Sequence, residues 1–392
     1  AAAGAQLGVL QQLLAARAGV EAANGDGCTA LAAAARHGQA EAVRLLLAAR
    51  ADADARSRSG EAPLAMAAGA RHWAVVRLLV DERADLEARS GGQQRTALLA
   101  AAAEGSLELV RCLVEAGADI AATDGDGSSV LVMAASMRHW EVVTFLAQQS
   151  ADPHAAGAAG WTALLWAASH GQAEVIQLLL ELRADADTRS QSGESSLALA
   201  AAGGHWETAL GLLELRVDLE ARCGALRRTA LLSAAAAGRS EPVRQLLEAR
   251  AALEARDARG RSALVAAADA GHWELVGSLV ARSADLEAAD DEGQTALLRT
   301  APQGPAETVQ LLLEARAHLD TRGRQGESAL ALAAAAGRWE VVQQLAGHGV
   351  DLEVRCAVGQ RTALLAAAEE GALGALRVLA EARADPEARG AG

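Results

Sequence analysis

The chain has 392 residues, 51% of them hydrophobic but only 2% aromatic, so its core has to be built mainly from Ala, Leu and Val. Its net charge of -14 combines 36 basic residues, all of them Arg, with 50 acidic ones. The two signs alternate along the chain, which argues against the basic stripe of a nucleic-acid binder, and no apolar run approaches the roughly 20 residues of a membrane-spanning helix.

Four cysteines, Cys28, Cys112, Cys223 and Cys356, stand far apart and form no CxxC pair. They read as free thiols of a reducing compartment rather than as a disulfide frame or a zinc site. An intracellular location follows, the cytoplasm first and the nucleus as the alternative. The N-terminus, AAAGAQLG, has neither a basic head nor a signal-like apolar stretch and does not begin with Met. The chain is therefore expected to be a piece of a longer one.

A period dominates everything else. Residues 1–23 read as the second half of a repeat whose beginning is missing; full repeats then start at Asn24, Ser57, Ser90, Asp124, Gly157, Ser190, Cys223, Asp257, Asp290, Gly323 and Cys356. All span 33 residues except those starting at Ser90, Cys223 and Cys356, which carry one extra residue before the helix. The three long repeats lie 133 residues apart, pointing to tandem copying of a four-repeat block. Every second repeat carries a Trp at one slot: Trp73, Trp140, Trp206, Trp273 and Trp339. With no linker or composition break, residues 1–392 read as a single domain.

Each repeat has the same predicted elements in the same order. A Gly-containing turn leads to Ser or Thr, a natural N-cap, and then to a short Ala/Leu helix such as Thr162 to Ser169. A Gly, as at Gly171 or Gly271, stops that helix in a left-handed conformation. A longer amphipathic helix follows, with apolar residues at i, i+1, i+4 and i+5 giving one buried stripe. The repeat closes on a charged turn such as Ala184 to Arg189.

The run Gly157 to Arg189, GAAGWTALLWAASHGQAEVIQLLLELRADADTR, and its ten counterparts resemble the ankyrin repeat, whose pattern centres on T-P-L-H-x-A, a second helix and an A-D turn. The resemblance implies an all-α solenoid of stacked helix-turn-helix pairs with projecting β-hairpin-like turns. It also implies partner binding in a concave groove lined by turn tips and first helices. The chain departs from the pattern in three ways. Only Pro63 keeps the Pro; the His is replaced by Leu99, Leu165, Leu232, Leu298 and Leu365 or by Ala or Val; and the Gly ending the second helix is often Arg, as at Arg50, Arg83, Arg183, Arg216, Arg250, Arg316 and Arg383. If those Arg residues are left-handed, each costs about 1–2 kcal/mol.

Catalytic signatures are missing. The sequence contains no phosphate-binding Lys loop, nucleophile elbow or H-E-x-x-H helix. The His-Trp-Glu runs at His139, His205 and His272 read as ordinary helix openings, because residues two apart do not converge on one helix face. The Glu-Ala-Arg runs at Glu87 and Glu220 suggest a self-complementary charge ladder along the turns. Each Trp is expected to pack beside a Leu of the vacated His slot in an adjacent repeat.

The positions that would face a partner are the residue before each N-cap and the last residues of each first helix. Among them Trp161, Met137 and His170 form a candidate apolar patch, and Arg95, Arg228 and Arg361 recur one block apart as candidate readers of an acidic partner. Arg261, Asp269 and Glu194 complete the partner-binding set, and Glu104, Glu369 and Glu370 occupy equivalent places. Trp161 has a second reading, folded down onto its own repeat, and Trp166 takes a core position. The function expected is protein–protein recognition by a monomeric array, with no catalysis, cofactor or metal. The alternative is a regulatory or targeting arm of a larger enzyme or channel.

Overall fold

The computed structural model describes residues 7–90, 92–215, 217–355 and 361–385. The chain divides into two compact units, Ala1–Ser192 and Gly193–Gly392. In the first, a helix Leu7–Ala15 precedes helix pairs such as Ala97–Glu104 with Leu107–Glu115 and Val130–Ser136 with Trp140–Gln148. The second repeats the scheme, for example in Ala230–Ala236 with Ser240–Glu248 and Ala263–Asp269 with Trp273–Ala281. Among the described residues the regular structure is helical, with isolated antiparallel bridges at the turns such as Ser90 to Arg95 and Cys223 to Arg228. Arg216 and Cys356 lie outside the described residues.

These helices are five to nine residues long, too short to stand alone in water. Burial supplies what length does not. In Val130–Ser136 the first six residues are all buried, whereas Trp140–Gln148 buries only Val142, Val143, Leu146 and Ala147, the expected i, i+1, i+4, i+5 stripe. First helices therefore form the inner layer of each unit and second helices cover it on one face.

The expected caps are present. Thr29, Thr96, Ser129, Thr162, Thr229 and Ser262 each accept from the backbone N–H three residues on, satisfying one of the orphan donors at a helix start. The helix Pro63–Gly69 lacks such a bond because Ala62 takes the cap position, with Pro63 supplying a preset φ at the first turn.

Adjacent repeats are tied together along their turns. The N–H of Arg58 donates to the Asp26 carbonyl at 3.0 Å and that of Gly125 to Gln93 at 2.7 Å; in the second unit Ala258 donates to Leu226 at 2.8 Å and Asp291 to Arg259 at 2.9 Å. Beside this thread runs a line of carboxylates. Glu87 accepts from the Asp119 N–H at 2.9 Å, Glu220 from Ala252 at 2.8 Å and Glu254 from Asp285 at 2.9 Å. The matching Arg residues donate to carbonyls instead: Arg89 to Gln94 and Thr123, Arg222 to Arg227 and Arg256. At Glu87 and Glu220 the ladder foreseen as Glu against Arg is thus side chain against backbone, whereas Arg56 and Arg322 do pair with a carboxylate of the next turn, Asp85 at 2.9 Å and Asp351 at 3.0 Å.

The Trp residues at the start of second helices are half-buried. Their rings turn to the following repeat: Trp140 lies 5.8 Å from the His170 ring, and a Cβ on Gly304 would come within 3.3 Å of Trp273. Leu165 and Leu298, in the vacated His slot, are fully buried in the third position of their helices. Paired helices run antiparallel, so the start of a second helix meets the far end of a first helix rather than its beginning.

Arg50, Arg83, Arg183, Arg250, Arg316 and Arg383, standing for Gly at second-helix ends, are all left-handed, with φ from 61° at Arg83 to 70° at Arg250 and Arg316. Replacing Arg250 and Arg316 together by Gly is expected to stabilise the fold, read as a higher urea midpoint, by at most about 1–2 kcal/mol per site less the backbone entropy that Gly adds to the unfolded chain. An unchanged or lower midpoint in circular dichroism would show that these residues carry no strain.

Candidate functional site

Three groups of side chains stand out. The first is aromatic and lies in the first unit. Trp161 sits on extended backbone just before the cap Thr162, Trp166 lies inside the helix Ala163–Ser169, and His170 caps that helix. The Trp161 and Trp166 rings are 4.4 Å apart at 42°, and Trp166 stacks toward His170 at 6.1 Å. Nδ1 of His170 lies 2.9 Å from both the Trp166 carbonyl and the Ser169 hydroxyl, which hold the ring at the helix end. With Trp140 from the preceding repeat these rings form one half-buried aromatic surface across two repeats. Trp161 therefore folds onto its own repeat while keeping part of its face in solvent. Met137, 47% exposed, borders a neighbouring cleft.

The second group is ionic and lies in the second unit. Asp257 opens its repeat with one oxygen, Oδ1, accepting from the N–H groups of Arg259 and Arg261, while Oδ2 meets the Arg261 guanidinium at 2.8 Å. Arg261 also reaches Asp269 at 2.7 Å; Asp269 pairs with Arg299 at 3.3 Å, and Arg299 pairs with Asp290 at 2.8 Å. Arg261 is only 5% exposed, so this residue, expected in contact with a partner, is spent inside its own unit. Asp269 is half-buried between its two Arg partners. Burial alone would raise the Asp257 carboxyl, but the hydrogen bonds from Arg261 and the turn N–H groups outweigh it and hold it below the usual range.

The third group comprises the Arg residues of the lengthened turns. Gln94 and Arg227 absorb the extra residue with left-handed φ of 52° and 47°. This places Arg95 and Arg228 at the base of the turn, with Nε 3.9 Å from Asp124 and 3.6 Å from Asp257 respectively. Burial, then repulsion from Arg261, lowers the pKa of Arg228. Arg361 pairs with Glu369. Glu194 accepts from Cys223 Sγ at 3.8 Å, and burial followed by the Glu194 charge pushes that thiol up to about 11.

Each of the first two lengthened turns overhangs a cleft. One, of about 310 Å³, lies among Trp73, Arg71, Arg95, Ala100, Glu104 and Met137; the other, of about 530 Å³, among Trp206, Leu226, Arg228, Ser233, Ala237 and Arg239.

Sequence reading missed the role of the His in His-Trp-Glu. His139 Nε2 lies 3.0 Å from the Ala103 carbonyl and His272 Nε2 3.1 Å from Ala236, each in the repeat before. The imidazole occupies the space above Gly105 or Gly238, where a Cβ would sit 2.3 Å or 2.5 Å from the ring. Both glycines are also left-handed, so the helix stop and the close approach demand the same residue. The 36-residue spacing could have signalled this, had the His been read against the preceding repeat. No group of His, Cys, Asp or Glu that could hold a metal occurs among the described residues, and no described helix is long and apolar enough to cross a membrane.

The stacked helix pairs, capped first helices and bridged turns define a helical repeat protein. A family model described as ankyrin repeats (3 copies) matches residues 1–90, 88–157, 151–223, 231–323 and 297–389, and the chain belongs to that family. Ankyrin repeats are in general protein–protein interaction modules. No curated protein matches the sequence significantly.

Replacing Asp257 by Ala would leave the buried Arg261 charge without its main partner, and is expected to destabilise the second unit by about 3–5 kcal/mol, read as a lower urea midpoint. Because the folded carboxyl is depressed, its contribution is present above the unfolded value of about 3.9 and disappears as pH falls through the folded value. The gap between parent and variant should therefore narrow in acid. A gap independent of pH would exclude the ionic account.

Proposed function

We propose that this chain recognises a protein or peptide partner on the surface formed by its turn tips and first-helix ends, and has no catalysis of its own. The observation that supports this reading is the half-exposed aromatic surface of Trp161, Trp166, His170 and Trp140, next in the chain to the exposed Met137. Trp is among the residues that carry most interface energy, and its cost in conformational entropy on binding is low. A rigid helical scaffold beneath such side chains lowers the cost of association further.

The charged candidates divide by availability. Arg261 and Asp269 serve the internal network, whereas Arg95, Arg228 and Arg361 hold internal carboxylates loosely or at the surface and keep donors for a partner. An intracellular setting suits the free thiols Cys28, Cys112 and Cys223.

Pull-down from lysate with the parent chain and with a Trp161→Ala, Met137→Ala double variant tests the aromatic surface. Loss of at least tenfold in recovery of specific partners is expected for the variant, since an interface Trp typically contributes 2 kcal/mol or more, about thirtyfold. Equal recovery, with circular dichroism unchanged, would remove that surface from the binding site.

A further inference from the structure

The two clefts under the lengthened turns are copies of one another at the 133-residue spacing: Trp73 corresponds to Trp206, Arg95 to Arg228 and Ala100 to Ser233. They differ at the position of Glu104. In the first cleft Glu104 lies in the cleft and pairs with Arg71 at 2.7 Å. The third copy of that position is Glu370, whose Oε2 would lie 3.3 Å from a Cβ on Gly337, the counterpart of Arg71. In the middle copy the residue is Ala237, facing a repeat where Gly204 replaces Arg71.

Both the internal carboxylate and its Arg partner are therefore missing from the second cleft, which is correspondingly the larger, about 530 against 310 Å³. Its lining includes Arg228 and Arg239 but no Asp or Glu. Arg239 makes no ion pair among the described residues, and Arg228, whose buried Nε stands 3.6 Å from Asp257, makes no hydrogen bond to that carboxylate. A cationic cleft on a chain of net charge -14 is a local reversal of the surrounding field. Beside the cations stand the Trp206 ring and Leu226, which suit an apolar neighbour.

We propose that this cleft receives a Glu or Asp side chain, flanked by an apolar residue, from an extended segment of a partner protein, taking the place that Glu104 fills in the first cleft. The inference rests on the protein-binding reading above but uses a different surface in the other unit. Arg228 and Arg239 would donate charge-assisted hydrogen bonds to the carboxylate, and Trp206 would cover the flanking aliphatic group.

The test uses the whole chain and a fluorescent, acetylated and amidated peptide with one glutamate between two leucines, measured by anisotropy. Arg239→Gln is expected to weaken binding about tenfold, the effect of one hydrogen bond to a charged group. Substituting glutamine for the peptide's glutamate should have at least the same effect. The decisive variant is Ala237→Glu, which restores the internal carboxylate at an exposed helix end and should exclude the peptide while leaving the fold intact. Equal affinity for the glutamate and glutamine peptides, undiminished binding to Ala237→Glu, or no binding by the parent would each overturn the proposal. So would Arg239-dependent binding of inorganic phosphate as strong as that of the peptide, which would make the cleft a free-anion site. None of these outcomes touches the Trp161 surface, whose pull-down stands or fails separately.

Discussion

The structure depends on contact between one repeat and the next. A helix of seven residues fixes its backbone for only a few internal hydrogen bonds, so its stability has to come from the neighbours that cover its apolar face. Here that cover is reinforced at the turns, where a backbone hydrogen bond joins successive tips and a Glu or Asp side chain accepts an N–H from the following repeat. Each such bond is modest, about 0.5–1.5 kcal/mol. Their effect is mainly to set register, since a turn held at both the tip and the base carries its helix pair into a defined position.

The same constraint explains the positions at which the chain departs from its family pattern. With Val132, Val265 or Leu298 in the His slot, the turns need other acceptors, and Asp124, Asp257 and Asp290 supply them by turning one carboxylate oxygen inward to two N–H groups. The second oxygen then faces an Arg, which is how Arg95, Arg228, Arg261 and Arg299 enter the interior at all. A loss on the helix is answered by a charge on the turn, and the ionic network of the second unit grows from it. The His of His-Trp-Glu works in the same sense from the other side, closing on a carbonyl of the previous repeat over a left-handed Gly.

Copying in blocks makes differences between copies informative. Several caps and turn carboxylates are the same from block to block, as Thr96 and Thr229, Ser129 and Ser262, and Asp124 and Asp257 are, and a change there would unsettle two junctions at once. Glu104 and Ala237 differ, as do Arg71 and Gly204, so the surface ion pair that joins two repeats in the first block is absent as a pair from the second. Such positions can acquire a ligand at little cost in stability.

The period, the caps, the buried stripe of the second helices and the left-handed Arg residues could be read from sequence because each is encoded within 33 residues by side-chain size, hydrogen-bonding capacity or a missing Gly. Ankyrin membership followed from the same local signals. The tertiary structure alone decided which charges are available: Arg261 and Arg228 look alike in sequence, yet one is enclosed by two carboxylates and the other stands at a cleft. It also brought the Trp140 ring to His170, and turned Glu87 and Arg89 to backbone groups rather than to each other. Local backbone preferences repeat with the sequence, whereas the partner of a long side chain is settled by distances across repeats, which spacing along the chain does not encode.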